Sequence, residues 1–288
     1  MAEQTAGITL PTGRTKRCRA IARALVARCG LVLGSLWMLA AFLAVWELLG
    51  RRSESLFFPP ISKVTERFVE MWTTAHVADG FLSNLFWDEA LTSLSRFAQG
   101  WAAAVVVGIF CGLLLGSSPT LNRMYAPSVR FFSAIPNTML LPIAVQIFGI
   151  ADNMNIFLIF LGSVWVVMIN TCDGVAGVDR MWLDSARSMR MSRSARYRLV
   201  VLPAASPQIL AGLRVSLGIA LILMVVSEMY ATTAGLGHQI MVAQSGFRYL
   251  DMWSAFVLIG LIGIALNLLF GLAEKRLLRW QQGVTKGE

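Results

Sequence analysis

Six long apolar stretches govern what this chain can fold into. They run over approximately 30–49, 95–116, 127–148, 154–172, 208–230 and 252–273. A helix needs roughly 20 apolar residues to cross a hydrocarbon core of about 30 Å. Inside lipid every backbone N–H and C=O must be paired within the chain, which leaves helices or a closed barrel. Continuous runs, rather than short alternating ones, select helices. The expected fold is an all-α polytopic membrane protein with about six transmembrane helices. Only 14% of the 288 residues are charged, against about 25% in a soluble domain. The third stretch carries Pro136 and Pro142, which remove backbone donors and should kink or break it. Residues 127–172 can also be read as shorter helices around a loop at Gly149-Ile150-Ala151-Asp152.

The net charge of +9 suits cytoplasmic loops of a membrane protein better than a nucleic-acid surface. With the N-terminus inside, nineteen of the 25 Lys and Arg residues fall on the inner side, and Arg51, Arg52, Lys63, Arg67, Arg96 and Arg248 fall outside. The positive-inside rule then sets both termini in the cytoplasm. The expected organisation is a basic cytoplasmic leader (1–29), a first transmembrane helix (30–50) and an extracytoplasmic amphipathic linker (51–94). A core (95–273) with a cytoplasmic loop at 173–207 and a cytoplasmic tail (274–288) complete it. The run beginning near residue 30 reads as a retained anchor rather than a cleaved signal. In the linker, Ile61, Val64, Phe68 and Met71-Trp72 recur at helical spacing. That describes either a helix lying on the outer surface or a packed linker helix. Cys18, Cys29, Cys111 and Cys172 are scattered, and His76 and His238 are the only histidines. No metal site and no cofactor are expected in this chain.

Residues 173–207 are the only long, highly charged stretch between two apolar runs. Val178, Met181, Ser185 and Met189 share a helical face, with Trp182 and Ala186 beside them. Arg180, Asp184 and Arg187 line up on another face, where neighbours can pair. A second short run, Ser194 to Val201, ends at Leu202-Pro203. The pattern reads as a short helix, a turn and another short helix. It forms either a compact knob that a partner could grip or a solvated connector.

Asp184-Ser185-Ala186, then Arg190, then Leu202-Pro203 resemble the EAA loop of binding-protein-dependent ABC importer permeases. In that family an acid opens the motif, alanines follow, a glycine stands six residues on, and a Leu-Pro pair closes it. Asp184 to Pro203 has the family's spacing. The resemblance continues through 204–214, Ser227-Glu228-Met229 and Gly235-Leu236-Gly237. Upstream, Ala134 to Pro142 and Phe148-Gly149-Ile150 are similar to the nitrate/sulfonate/taurine-type branch, as is Phe58-Pro59-Pro60 with Lys63-Val64. Three positions depart from the pattern: Asp184 for Glu, Ser185 for Ala and Arg190 for Gly. Glycine suits such a turn because it accepts positive φ, at a cost that arginine would bear. Either the turn shifts toward Ser192, or the loop ends differently, or this is the weaker half of a heterodimer.

The resemblance implies a MetI-like importer permease core moving a small solute, such as a sulfonate, nitrate or similar organic anion. Its implied partners are a cytosolic ABC ATPase dimer, a second permease subunit (same or different), an extracytoplasmic substrate-binding protein and membrane lipid. Asp184, Ser185, Ala186, Met189 and Arg190 would contact or shape the ATPase interface, and Leu202 and Pro203 would end the loop. Polar residues at membrane depth are costly and often functional, which makes Glu228, Gln146, Asn170 and Asn267 candidates for a translocation path, with helix–helix hydrogen bonding the alternative. No phosphate-cradling Gly-x-x-x-x-Gly-Lys-Ser/Thr pattern is present, so ATP hydrolysis is expected in a partner subunit. A gradient-driven secondary transporter would explain the spans but not the ordered loop motif.

Overall fold

The computed structural model describes residues 34, 37–53, 55–73 and 82–279. The expected leader at 1–29, the start of the first apolar stretch, His76 and the end of the tail lie outside the described residues. Among the described residues the chain is helical, with one isolated bridge between Thr73 and Leu82. It divides into two units, 1–63 and 64–288.

In the first unit, helix α1 (37–53) leaves Trp37, Phe42, Val45 and Leu48 exposed, as suits a lipid-facing surface. After it, Phe58-Pro59-Pro60 folds the chain back. The Trp46 indole stacks on Phe58 at 5.5 Å, and its N–H donates to the Pro59 carbonyl at 3.0 Å. Glu47 accepts from the Ser62 N–H at 3.0 Å and from its hydroxyl at 2.8 Å.

Helix α2 (Ile61–Trp72) carries the chain into the second unit. Its apolar face packs on protein, the second of the two readings of the linker. Trp72 is buried with Leu236, Ile240, Ala255 and Leu258, and its indole N–H donates to Ser254 at 2.8 Å. Arg67 donates to Asp251 at 2.6 Å and to Glu70 at 3.0 Å, and these bonds raise its pKa.

The remaining helices are α3 (Leu91–Ser117), α4 (Pro119–Ser133), α5 (Leu141–Phe148), α6 (Asp152–Ala176), α7 (Arg180–Ser188), α8 (Arg193–Arg196), α9 (Leu202–Tyr230), α10 (Leu236–Ser245) and α11 (Tyr249–Leu277). Among the described residues four helical runs are long and apolar enough to cross a membrane: Phe86–Ser117, Asp152–Ala176, Arg193–Tyr230 and Tyr249–Leu277. The third expected stretch is a bent pair, α4 followed by a 3-10 turn and α5, with 79° between its halves. Pro136 stands at the break in extended conformation, and Pro142 begins α5, where its missing donor costs nothing.

Packing registers show that this bent pair carries the chain back across. On α3, Gly100, Gly108, Gly112 and Gly116 press on Ile159, Val167, Thr171 and Val175 of α6 in the same ascending order. The two helices therefore run parallel, and the chain between them must return over their length. This makes up to five crossings among the described residues, and the sixth expected span, 30–49, begins outside them. Against α9, Gly162 meets Leu223 and Gly212 meets Asn170, so α6 and α9 are antiparallel. Arg214 pairs with Glu274, bringing the end of α11 beside the start of α9. The 180–203 segment and the end of α11 thus share one end of the bundle. The other end holds α2, α10, the start of α6 and the end of α9.

One expectation needs correction. The short helix expected to close at Leu202-Pro203 does not stop there, because residues 193–230 form one helical run. Proline cannot donate the i→i−4 bond and crowds the carbonyl it would have met. The helix absorbs this with a wider π turn over Tyr197–Val201, closed by the Leu202 N–H on the Tyr197 carbonyl.

Candidate functional site

Helix α7 starts on Asp179, whose carboxylate accepts from the Met181 N–H at 2.8 Å. Asp184 pairs with Arg187 at 2.6 Å, but both side chains are mostly exposed, so the pair adds about 0–1 kcal/mol. Ser185 returns its hydroxyl to the Met181 carbonyl at 2.8 Å, and Ala186 is buried against the bundle.

The turn after α7 does not shift toward Ser192. Arg190 itself takes the left-handed conformation, with φ 51°. Its N–H donates to the Arg187 carbonyl at 2.9 Å, and the Met191 N–H reaches back to Ala186 at 3.1 Å. These are the two bonds of a Schellman turn, the ending for which glycine is preferred. The left-handed arginine costs about 1–2 kcal/mol in backbone strain, offset by pairing two carbonyls that the helix end leaves open. Ser192 instead caps α8, accepting from Ala195 at 3.2 Å.

Between α7 and the start of α9 lies an open groove of about 430 Å³, lined by Trp182, Ser185, Ala186, Met189, Leu199, Val200, Pro203 and Ala204. Met189 is 69% and Leu199 67% exposed, with Met181 and Trp182 also open to solvent. The same 180–198 segment carries six arginines, Arg180, Arg187, Arg190, Arg193, Arg196 and Arg198, none of which lines the groove itself. Of the expected contact residues, the structure thus brings Ser185, Ala186, Met189 and Pro203 to one groove. Asp184 lies on the exposed opposite face with Arg187. Leu202 lies inside the continuous helix. Tyr197, to which the sequence alone assigns no role, joins this segment to α3. Its hydroxyl lies 2.6 Å from that of Ser117 and donates to the Leu113 carbonyl at 3.2 Å.

The expected path residues are dispersed. Gln146 and Asn267 are exposed on α5 and α11. Asn170 sits in the α6–α9 contact, donating to Val166 at 2.9 Å and accepting from Gln208 at 3.0 Å. Glu228 is fully buried inside the subunit and accepts from Ser93 Oγ at 2.7 Å, Arg96 Nη1 at 2.9 Å and the Gly237 N–H at 3.1 Å. Ser93 also accepts from the Leu236 N–H at 2.8 Å, and Glu89 accepts from the Gly235 N–H and from Gln239. Two carboxylates and a hydroxyl therefore satisfy the first N–H groups of α10, where Gly235, at φ 115°, leaves no side chain to do so. Sequence reasoning misses Glu89, Ser93 and Arg96 as partners of the Glu228 region. They lie more than a hundred residues from it in the chain, and only their i, i+4, i+7 spacing along one helical run hints at a common face.

Comparison with known proteins agrees with this architecture. Residues 104–281 match the family described as binding-protein-dependent transport system inner membrane component. The bicarbonate transport system permease protein CmpB of Synechococcus elongatus is 32% identical over 241 residues, covering 83% of this chain and 86% of that protein. The taurine transport system permease protein TauC of Escherichia coli is 31% identical over 248 residues, 85% of this chain and 89% of its own length. The nitrate import permease protein NrtB of Leptolyngbya laminosa is 30% identical over 240 residues, 83% and 85%. Among solved structures, inward-facing MetNI methionine ABC transporter matches with a TM-score of 0.55 at 21% identity. It covers 66% of this chain and 93% of that chain, a likeness of fold.

Proposed function

The chain belongs to the binding-protein-dependent transport system inner membrane component family and is a permease subunit of an ABC importer; from that premise we propose that its 180–203 segment is the docking site for a separate ATPase. The observation that carries this reading is the apolar groove of α7 and α9, set in an arginine-rich segment and exposed at one end of the bundle. An isolated soluble connector would gain nothing by leaving Trp182, Met189 and Leu199 in water. Ser185, Ala186, Met189 and Pro203 form the floor of the contact, Arg190 shapes it by ending α7, Asp184 offers a charge on the other face of the same helix, and Leu202 continues the push into α9. ATPase closure then moves α9 and, through Tyr197, α3, as rigid bodies rocking between two arrangements.

The same reading places the groove and both termini in the cytoplasm of a bacterial inner membrane. ATP is hydrolysed in the partner subunits, and a binding protein delivers the solute at the opposite end, where α2 and α10 lie. A second permease subunit, the same or different, completes the path. Relatives named for bicarbonate, taurine and nitrate support a small oxyanion as the solute. Glu228 acts there by holding α3, α9 and α10 together, and Gln146, Asn170 and Asn267 are the remaining candidates for the path.

The test is co-purification. The tagged chain, expressed with its neighbouring genes, should bring down an ATPase that is lost with Asp184→Lys and Ala186→Glu. An ATPase retained equally by both variants removes the docking role from this segment and leaves a gradient-driven transporter as the next reading.

A further inference from the structure

At the end of the bundle away from α7, where α6 begins and α9 ends, a cavity of about 240 Å³ is lined by Arg96, Ile150, Ala151, Asp152, Thr232 and Thr233. We propose that this cavity is an oxyanion site in which the Asp152 carboxylate occupies the place of a solute's carboxylate-like, sulfonate or nitrate group. The proposal rests on the importer reading and gives its oxyanion solute a place to bind.

The argument begins with Arg96, whose side chain is only 6% exposed. One side of its guanidinium is engaged inside the subunit. Nη1 donates to Glu228 Oε1 at 2.9 Å and to the Ala234 carbonyl at 2.8 Å, and Glu228 is itself fixed by Ser93 and Gly237. The other edge, Nε and Nη2, holds Asp152 Oδ1 at 2.8 and 2.6 Å. That edge is the fork with which arginine recognises planar and tetrahedral oxyanions. The two carboxylates differ in one decisive way: Glu228 has no exposed side-chain surface, whereas the Asp152 side chain is 66% exposed. Among the described residues Asp152 makes no side-chain hydrogen bond except to Arg96.

An incoming oxyanion that takes over the Nε/Nη2 edge leaves the charge around Arg96 unchanged. Asp152 loses a bond but keeps its hydration. The swap therefore avoids the large penalty of adding or stranding a buried charge. Two further features favour an anion. Helix α6, 25 residues long, starts at the cavity on Ala151 without a side-chain cap, so its first N–H groups and dipole face the site. Thr233 adds a hydroxyl-bearing side chain at the rim, while the Thr232 hydroxyl donates to the Glu228 carbonyl at 2.9 Å. A bare cation would meet a buried guanidinium instead. Bicarbonate, nitrate and the sulfonate of taurine, the solutes in the names of the relatives, all present three oxygens on one centre.

The experiment uses the permease with its co-purified ATPase in lipid nanodiscs. Thermal unfolding is followed against nitrate, bicarbonate, methanesulfonate and taurine, with chloride keeping the ionic strength constant. At least one oxyanion should raise the midpoint saturably, beyond chloride. If Asp152 holds Arg96 about nine-tenths of the time, Asp152→Asn should lower the half-saturating concentration about tenfold, because the internal competitor is gone. Asp152→Glu should stay near the unsubstituted protein, and Thr233→Val should shift the curve the other way. Oxyanions no better than chloride, or curves identical in the unsubstituted protein, Asp152→Asn and Thr233→Val, would overturn the site. The ATPase band in the same preparations reports on the importer reading independently: an empty cavity with ATPase bound sinks only this proposal.

Discussion

Gly112 of α3 lies so close to Thr171 of α6 that a Cβ on it would fall 2.6 Å from the Thr171 Cβ and 2.7 Å from the Met168 carbonyl. The same holds at Gly100, Gly108 and Gly116, and with the buried Ala104 they make a stripe of small residues at every fourth position that lets the two backbones meet. In lipid there is no hydrophobic drive between helices, so such close packing supplies much of the association. Gly112→Val should therefore destabilise the fold by about 1–3 kcal/mol, the range for overpacking a filled contact. Gly218, where an added Cβ would meet nothing within 4 Å, serves as the control. Gly218→Ala should hold or slightly raise the unfolding midpoint in detergent, while Gly112→Val lowers it. Equal midpoints for the two would show that the stripe does not bind α3 to α6.

Arg190 offers a prediction of the opposite sign. Its φ of 51° is strained for arginine and easy for glycine. Arg190→Gly should steady the end of α7 by about 1 kcal/mol, and Arg190→Val should loosen it by at least as much. The readout is hydrogen exchange at the Met191 amide, which closes the turn on Ala186. Exchange should slow with glycine and quicken with valine.

Much of this architecture is legible in the residues, and the failures have physical causes. Hydropathy finds the crossing segments because the bilayer imposes their length, and Pro136 and Pro142 mark the broken one. The loop motif locates α7 and its turn, and even the residue at which positive φ falls. It does not say whether Arg190 accepts that conformation, since the answer depends on the bonds made by Met191 and Ala186. The glycine stripe stands in plain view at i, i+4 spacing, but apolarity alone does not separate a lipid-facing position from a helix contact. Glu228 draws notice as a polar residue at depth. Its partners Ser93 and Arg96 are 135 and 132 residues away, a distance over which no local pattern carries information.

That buried cluster makes its own prediction. Removing an acceptor so that buried donors are left unsatisfied costs about 1–3 kcal/mol for each group. Glu228→Leu should leave the Ser93 hydroxyl, the Gly237 N–H and one side of the Arg96 guanidinium without their acceptor, although Asp152 still balances the Arg96 charge. The expected result is a large loss of folded protein on size-exclusion chromatography, little relieved by salt, since the pair is shielded from solvent ions. Glu274→Gln, at the partly exposed pair with Arg214, should cost much less.

Tyr197 tests how motion passes from the groove to the bundle. Its hydroxyl is the hydrogen-bonded tie between the π turn at the start of α9 and the last turn of α3, through Ser117 and the Leu113 carbonyl. Tyr197→Phe removes these bonds and keeps the ring, which packs against the cluster of Val178, Val201 and Ala205. The loss in stability should be small, about 1 kcal/mol for neutral hydrogen bonds. Because the groove itself is untouched, ATPase binding should survive. What should fall is the coupling: in proteoliposomes the solute moved per ATP hydrolysed should drop several-fold, with hydrolysis maintained, since α3 no longer follows α9. A variant that transports normally would show that α3 is driven through its glycine contact with α6 rather than through Tyr197. A variant that loses the ATPase would instead place Tyr197 in the docking surface.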